Sequence, residues 1–287
     1  MYALVNEKII AQLEKGTVPW KKPWTEAGLP RNCITKKPYR GINLILLASL
    51  GYEHNWFLSF KQVNDLKGKV KKGEHGHMVV FWNYTEQEQK SEDGTVPTDT
   101  PKEKGKPYLR YYQVFNVAQC ENLPEGLVPM TEERSIEPIK ACEGIIKGIP
   151  NCPAIRHKEA SAFYDPLRDI INMPKQKTFS SDAAYYGTLF HELVHSTGHR
   201  TRLHRASILD MAEFGSEPYS LEELVAEIGS CYLQSYAGLD IPVENSTAYV
   251  QSWLKKLQDD KRFIFTASSA AQKATDYILD IQTEYQS

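Results

Sequence analysis

The sequence lacks long hydrophobic runs. No stretch of its 287 residues is apolar over the roughly 20 positions that a membrane-spanning helix requires. The N-terminal segment MYALVNEKIIAQLEKG does not place basic residues before an apolar run, as a signal peptide does. It instead has the spacing of an amphipathic helix. We therefore expect a cytoplasmic protein without a membrane partner.

Cysteine is scarce and irregularly placed. The chain has five cysteines, an odd number, and none of them forms a CxxC pair: Cys33, Cys120, Cys142, Cys152 and Cys231. This pattern argues against a disulfide framework and is typical of a reducing compartment. We expect these residues to be small buried side chains.

An excess of charge of one sign is also lacking, because the formal net charge is only −2. The near-neutral total conceals an asymmetry. Residues 1–82 contain 13 Lys and Arg against six Asp and Glu, so the remainder is net acidic. A basic region joined to an acidic one indicates two functions in two halves.

The most informative motif is the HExxH pentapeptide at residues 191–195. On a helix, His191 and His195 project from the same face and can bind one metal ion. Glu192 lies where it can take a proton from a water that the metal activates, which makes it the predicted catalytic base. This combination is typical of enzymes that hydrolyse peptide bonds.

Two imidazoles leave a catalytic zinc site one protein ligand short. The pattern HExxHxxGxxH fails, because Thr201 occupies the required position and His199 and His204 lie at other spacings. The segment SLEELVAEIGS at residues 220–230 predicts a second helix, started by a capping box of Ser220 and Glu223. Glu223 is the predicted third ligand.

The second helix carries two more carboxylates. Glu227 shares a face with Glu223, and we predict that it orients a ligand histidine. Glu222 projects to a different side, so it is not chosen as a ligand. The small residues Ala226 and Ser230 permit close approach of the two helices. The alternative is that these carboxylates are simply solvated.

The N-terminal half combines cations with aromatic rings, as single-stranded nucleic-acid binders do. Motifs that read duplex DNA, such as zinc fingers or a helix-turn-helix, are not evident. The alternative is that the Pro-Trp segments fill a core and the lysines solvate a face. The predicted DNA-binding residues are Trp20, Lys21, Lys22, Trp24, Arg31, Lys36, Lys37, Tyr39 and Arg40.

Several runs resemble the ArdC-type antirestriction proteins and the related polyvalent proteins of mobile elements. In the second half these are YYGTLFHELVHSTGHRTRLHR, EELVAEIGS and AYVQSWLKKLQDDKRFIFTASSAAQKATDYIL. In the first half they are VPWKKPW, PYRGINLILL and YQVFNVAQCENLP. The resemblance implies a single-stranded-DNA-binding domain, a zincin-type metallopeptidase domain, and a plasmid- or transposon-borne protein that protects incoming DNA.

We therefore predict a two-domain α+β protein, with a small DNA-binding domain at residues 1–127 and a zincin-like domain at residues 128–287. Periodicity predicts helices at 42–50, 56–67, 136–147, 221–236, 246–258 and 268–285. Strands are predicted at residues 78–84 and 109–117, and a hairpin at residues 163–173.

The expected function is zinc-dependent hydrolysis of a protein substrate, such as a host restriction or defence protein. Manganese or another divalent ion also fits two imidazoles and a carboxylate. Tyr219, His199 and His204 remain open as donors to the oxyanion. The main alternative is a DNA-coating protein whose metal is structural, although Glu192 would then have no task. A magnesium-dependent nuclease would gather more carboxylates.

Overall fold

A computed structural model describes residues 1–15, 17–20, 29–86, 104–128, 138–209, 217–239 and 247–282. Its first half contains three α-helices and six strands within the described residues. These elements are α1 Tyr2–Glu14, β1 Arg31–Asn32, α2 Ile42–Ala48, β2 Trp56–Ser59, α3 Phe60–Asp65, β3 Lys69–Val70, β4 His77–Glu86, β5 Lys104–Asn116 and β6 Cys120–Glu121. Of these strands, β4 and β5 are the longest.

The main sheet of the first half has the strand order β1-β2-β5-β4. Strands β1 and β2 are parallel, whereas β2 with β5 and β5 with β4 are antiparallel. The long β4–β5 pair runs from His77 opposite Val114 to Glu86 opposite Lys104. Strands β3 and β6 form a separate two-stranded sheet.

The second half is mostly helical. Its elements are α4 Pro138–Gly148, β7 Ala154–Arg156, β8 Phe163–Asp165, β9 Ile170–Asn172, α5 Asp182–Ser196, α6 Ala206–Leu209, α7 Glu217–Ala237, α8 Thr247–Asp259 and α9 Phe263–Ile278. The three strands form a sheet in the order β7-β9-β8, in which the predicted hairpin is the antiparallel pair β8 and β9. Among the described residues, no helix has the length and hydropathy to cross a bilayer.

One large hydrophobic core joins the two halves. Ile9 of α1 and Ile45 of α2 belong to the same buried cluster as Phe190 of α5 and Leu233 of α7. The Tyr232 hydroxyl donates to the carbonyl of Gly41 at 3.0 Å, and Arg40 forms an ion pair with Asp276 of α9. The boundary at residue 127 therefore does not coincide with a gap in the packing.

Most predicted elements are confirmed, with three corrections. Residues 56–67 were expected to be one helix, but their first four residues form β2, which pairs with β1 and β5. Helix α7 begins at Glu217, so Ser220 and Glu223 lie inside it and form no capping box at its start. Helix α9 runs from Phe263 to Ile278, so it begins five residues before the predicted start and ends seven residues before the predicted end.

Candidate metal centre

Helix α5 carries the HExxH motif on its inner side. The Ser181 hydroxyl accepts a hydrogen bond from the amide of Ala184 and caps the helix at its N-terminus. Asp182 in the first turn is favoured by the helix dipole. Buried residues such as Leu189, Phe190 and Leu193 fix the helix in the core, so the histidines are held on a rigid element.

Helix α7 packs very closely on α5. Gly229 lies against Val194, and a Cβ atom at that position would be only 2.9 Å from a Val194 methyl group. The hydroxyl of Ser230 donates to the carbonyl of Gly187 at 2.9 Å. The predicted close approach through small residues is confirmed, and it brings the carboxylates of α7 to the histidines of α5.

Three side chains converge at this helix contact. The Nε2 atoms of His191 and His195 are 3.1 Å apart. The Glu223 carboxylate lies 3.6 Å from Nε2 of His191 and 3.5 Å from Nε2 of His195. Together they form a His–His–Glu group whose ligand atoms all lie within 4.8 Å of one another.

The spacing of these atoms fits a tetrahedral metal ion. Ligands bound at about 2.0–2.1 Å with tetrahedral angles are about 3.4 Å apart, close to the three observed distances. The donor set of two imidazoles and one carboxylate is that of catalytic zinc, and it also accepts other divalent ions. His191, His195 and Glu223 are therefore the residues that could hold a divalent metal.

A carboxylate lies against the outer nitrogen of each histidine. Glu227 is 3.6 Å from Nδ1 of His191, and Glu222 is 3.2 Å from Nδ1 of His195. Such contacts hold a ring proton on Nδ1, so Nε2 is the nitrogen directed at a metal. Glu222, which the sequence analysis set aside, thus occupies for His195 the position that Glu227 occupies for His191.

Glu222 is deeply buried and heavily hydrogen-bonded. It accepts hydrogen bonds from Nε and Nη2 of Arg205 at 3.0 and 2.6 Å and from the hydroxyl of Ser207 at 2.6 Å. Burial alone would raise its pKa, but His195 and Arg205 hold the pKa at about 2. The Arg205 guanidinium also donates to Thr197 and to the carbonyl of Val194, so it caps the end of α5.

The charges around His191 are suited to binding a cation. Burial lowers the pKa of its imidazole, but the carboxylates of Glu223 and Glu227, with a contribution from Glu192, raise it to about 10. The pKa of Glu223 is lowered despite its burial, chiefly by the hydrogen bond with His191. Negative charge therefore surrounds the two imidazoles.

The candidates for the catalytic base and for the oxyanion donor differ in their positions. Glu192 is buried on α5 between the two histidines. Tyr219 lies close enough to Glu223 that its hydrogen bond helps to lower the pKa of that carboxyl group. The ring of His199 instead bonds Thr201 at 2.8 Å, and His204 is exposed in a left-handed backbone conformation.

The predicted DNA-binding residues are only partly accessible. Trp20 is fully buried and packs edge-on against Trp253, with 5.3 Å between ring centroids. This burial contradicts the prediction that Trp20 stacks on a base, and it agrees with the core-filling alternative. Lys21, Lys22 and Trp24 lie outside the described residues.

Most of the other predicted cations already have protein partners. Arg40 pairs with the buried Asp276, and Arg31 donates to the carbonyl of Lys36 at 3.1 Å. The Lys36 ammonium donates to the carbonyl of Leu127 at 2.9 Å. Lys37 is exposed, whereas Tyr39 is partly buried and its ring packs against Phe57.

Comparison with protein families agrees with this architecture. A family model of zincin-like metallopeptidases matches residues 149–270, so the second half contains a zincin-like domain. The model of the N-terminal domain of the anti-restriction factor ArdC matches residues 1–115. The chain belongs to the ArdC antirestriction family.

Solved structures and curated relatives support this assignment. The crystal structure of metal-free antirestriction ArdC from plasmid R388 is 38% identical, with a TM-score of 0.77, and the match covers 98% of this chain and 97% of that one. A Mn(II)-bound structure of ArdC gives the same identity and TM-score over 100% and 99% of the two chains.

Among curated proteins, the uncharacterized protein y4eC of Sinorhizobium fredii is 33% identical, and the match covers 100% of this chain and 94% of y4eC. DNA primase TraC of Escherichia coli is 37% identical over 97% of this chain. The chain spans only 20% of that primase.

Proposed function

We propose that this protein is a metal-dependent peptidase of a mobile element that binds single-stranded DNA and protects it from host restriction. The observation that carries the peptidase is the group of His191, His195 and Glu223 beside Glu192. The three ligand atoms have the spacing of a metal site, and the HExxH motif supplies a base beside it. A purely structural site would leave Glu192 without a task.

Each side chain of the candidate site has a separate role in the proposed hydrolysis. His191, His195 and Glu223 would hold a divalent ion, and that ion would polarise a carbonyl group and lower the pKa of bound water. Glu192 accepts a proton from the attacking water and passes it to the leaving amine. Tyr219 is the best-placed donor to the developing oxyanion, since it lies beside Glu223.

Zinc is the proposed ion because two histidines and a glutamate are its usual catalytic ligands. Manganese is the main alternative, since a structure of the related plasmid ArdC has Mn(II) bound. The proposed substrate is a host restriction or defence protein. The binding of single-stranded DNA is supported by the basic excess of residues 1–82 and by the match to the ArdC N-terminal domain.

The decisive experiment compares wild type with Glu192→Ala. Metal content, affinity for single-stranded DNA, cleavage of co-incubated restriction enzymes, and protection of DNA from those enzymes are measured on both proteins. We expect the variant to keep its metal and its DNA affinity and to lose about 10²–10⁴-fold in hydrolysis. Glu143→Ala, an exposed change on α4, is the matched control and should behave as wild type.

One outcome would contradict the peptidase, and another would contradict the role assigned to Glu192. If neither protein cleaves a candidate substrate and both protect DNA equally, the DNA-coating alternative is correct. If Glu192→Ala loses metal as well as activity, Glu192 supports the metal site and is not simply the base.

A further inference from the structure

The β4–β5 hairpin concentrates exposed aromatic rings. Six aromatic side chains are exposed in the described part of the chain, and all except Phe60 lie on this hairpin. The five are Phe81, Trp82, Tyr108, Tyr111 and Tyr112. Exposed rings in such number mark a binding surface, because isolated apolar side chains are ordinary but a contiguous group is costly to leave in water.

The strand register places three of these rings on one face. Phe81 is opposite Arg110, and Tyr112 and Tyr108 lie two residues to either side of Arg110. Residues two apart on a strand project from the same face and are about 6.6 Å apart. Phe81, Tyr108, Tyr112 and Arg110 therefore form a row, which we name the aromatic stripe.

Ring contacts within the stripe agree with the register. The ring centroids of Phe81 and Tyr112 are 5.7 Å apart, and the rings are tilted by 59°. The Arg110 guanidinium lies over the Tyr108 ring, 5.6 Å from its centroid. The rings support one another, yet they remain 37–42% exposed.

The charge around the stripe is suited to a phosphate backbone. Residues 75–85 and 105–118 contain no Asp or Glu. Arg110 is exposed and supplies a cation between the rings.

We propose that the aromatic stripe is the surface on which the bases of single-stranded DNA stack. This inference rests on the proposed DNA binding and assigns it to residues that the sequence analysis did not select. Single strands offer exposed base faces to flat rings, whereas a duplex keeps those faces stacked inside. Arg110 contacts the phosphates, and the stacking explains why little sequence preference is expected.

The test uses the full chain and a fluorescein-labelled oligothymidylate, with affinity measured by fluorescence anisotropy. We expect the double variant Phe81→Ala/Tyr112→Ala to bind at least about fivefold more weakly for each stacked ring that is lost. The salt dependence should stay unchanged in this variant. In Arg110→Ala the slope of log affinity against log salt should fall by about one.

Two variants serve as controls. Phe60→Ala removes an exposed ring outside the hairpin and should bind as wild type, and Tyr112→Phe keeps the ring and should keep the affinity. If wild type does not bind the oligonucleotide, the proposed DNA binding itself fails. If wild type binds and the double variant binds equally well, the stripe is overturned as the base-stacking surface, and a protein partner becomes its occupant.

Discussion

Glu222 and His195 are joined by a buried contact of 3.2 Å between a carboxylate oxygen and Nδ1. Arg205 fixes the carboxylate from the other side through two hydrogen bonds. The ring of His195 therefore cannot rotate without breaking a buried hydrogen bond. The orientation of a metal-binding nitrogen is thus set by an arginine 10 residues further along the chain.

Replacing Glu222 should weaken metal binding without removing a ligand. We expect Glu222→Gln to lower zinc affinity about 10–100-fold, because the amide is a poorer acceptor for His195 and leaves Arg205 without its counter-charge. Competition with a chromophoric chelator measures the affinity. The matched control is Glu159→Gln, an exposed loop residue. Unchanged affinity in Glu222→Gln would show that His195 is oriented by packing alone.

Glu223 and Glu227 should differ in their effect on stoichiometry. We expect Glu223→Ala to lose the bound metal and Glu227→Ala to retain one ion per chain with lower affinity, since only Glu223 faces the Nε2 atoms of both histidines. Metal analysis after gel filtration gives the stoichiometry. The opposite result, full occupancy in Glu223→Ala with loss in Glu227→Ala, would reverse the two roles.

Metal affinity should rise with pH. The pKa of His191 in the metal-free protein is raised to about 10, so its imidazole is protonated at pH 7 and must lose that proton to bind metal. We expect about one proton to be released per ion at pH 7, and affinity to increase about tenfold per pH unit until the pH approaches 10.

Calorimetry in buffers of different ionisation enthalpy measures this proton release. Glu227→Gln is the informative comparison, because loss of one carboxylate lowers the pKa of His191 and should reduce the release at pH 8. Metal binding without proton release in the wild type would be incompatible with the raised pKa.

Helix packing at the metal centre should be sensitive to a single methyl group. We expect Gly229→Ala to lower the free energy of unfolding by about 1–3 kcal/mol, because the added Cβ meets Val194 at 2.9 Å. Gly144→Ala on α4 meets nothing within 4 Å and should be neutral or slightly stabilising. Chemical denaturation compares them. Equal stability of Gly229→Ala and wild type would mean that the α5–α7 contact is loosely packed.

The first 127 residues should not fold cooperatively alone. Ile9 and Ile45 are buried in the core that α5, α7 and α9 complete, and Arg40 would lose its partner Asp276. We expect the isolated segment to show no sharp thermal transition in calorimetry. A single sharp transition with retained DNA binding would instead support the sequence-based boundary and a separable domain.

Local sequence patterns were sufficient to predict several helices and one hairpin of the fold. Helices α1, α2 and α4 and the β8–β9 hairpin follow from periodicity and turn residues close in sequence. Strand β2 was wrongly predicted as helix, because Phe60, Val63 and Leu66 have helical spacing immediately after it. Its pairing with Asn116 and Phe115 of β5 lies far along the chain and leaves no local signal.

Some residues of the metal centre could likewise be predicted from local sequence patterns, and others could not. The two histidines and Glu192 are fixed by a pentapeptide, and Glu223 by its place on the next long helix. The role of Glu222 depends on the angle at which α7 crosses α5 and on the hydrogen bonds from Arg205. Neither can be predicted from the helical spacing of residues in the sequence. Trp20 is buried against Trp253, which lies more than 230 residues later in the chain, so its burial leaves no local signal.

The packing between the halves has a consequence for how a protein substrate would be reached. Arg40 contacts α9 and Gly41 contacts α7, the helix that carries Glu223, so the basic half is attached directly to the helical half. If the protein has both proposed activities, binding a DNA strand would fix the distance between the metal centre and that strand. A host enzyme bound to the same strand would then encounter the metal centre at an effective concentration that depends on the length of DNA between them. The concentration of the enzyme in solution would not set it. Selectivity could come from which proteins travel on the DNA, even where the cleft itself binds them weakly.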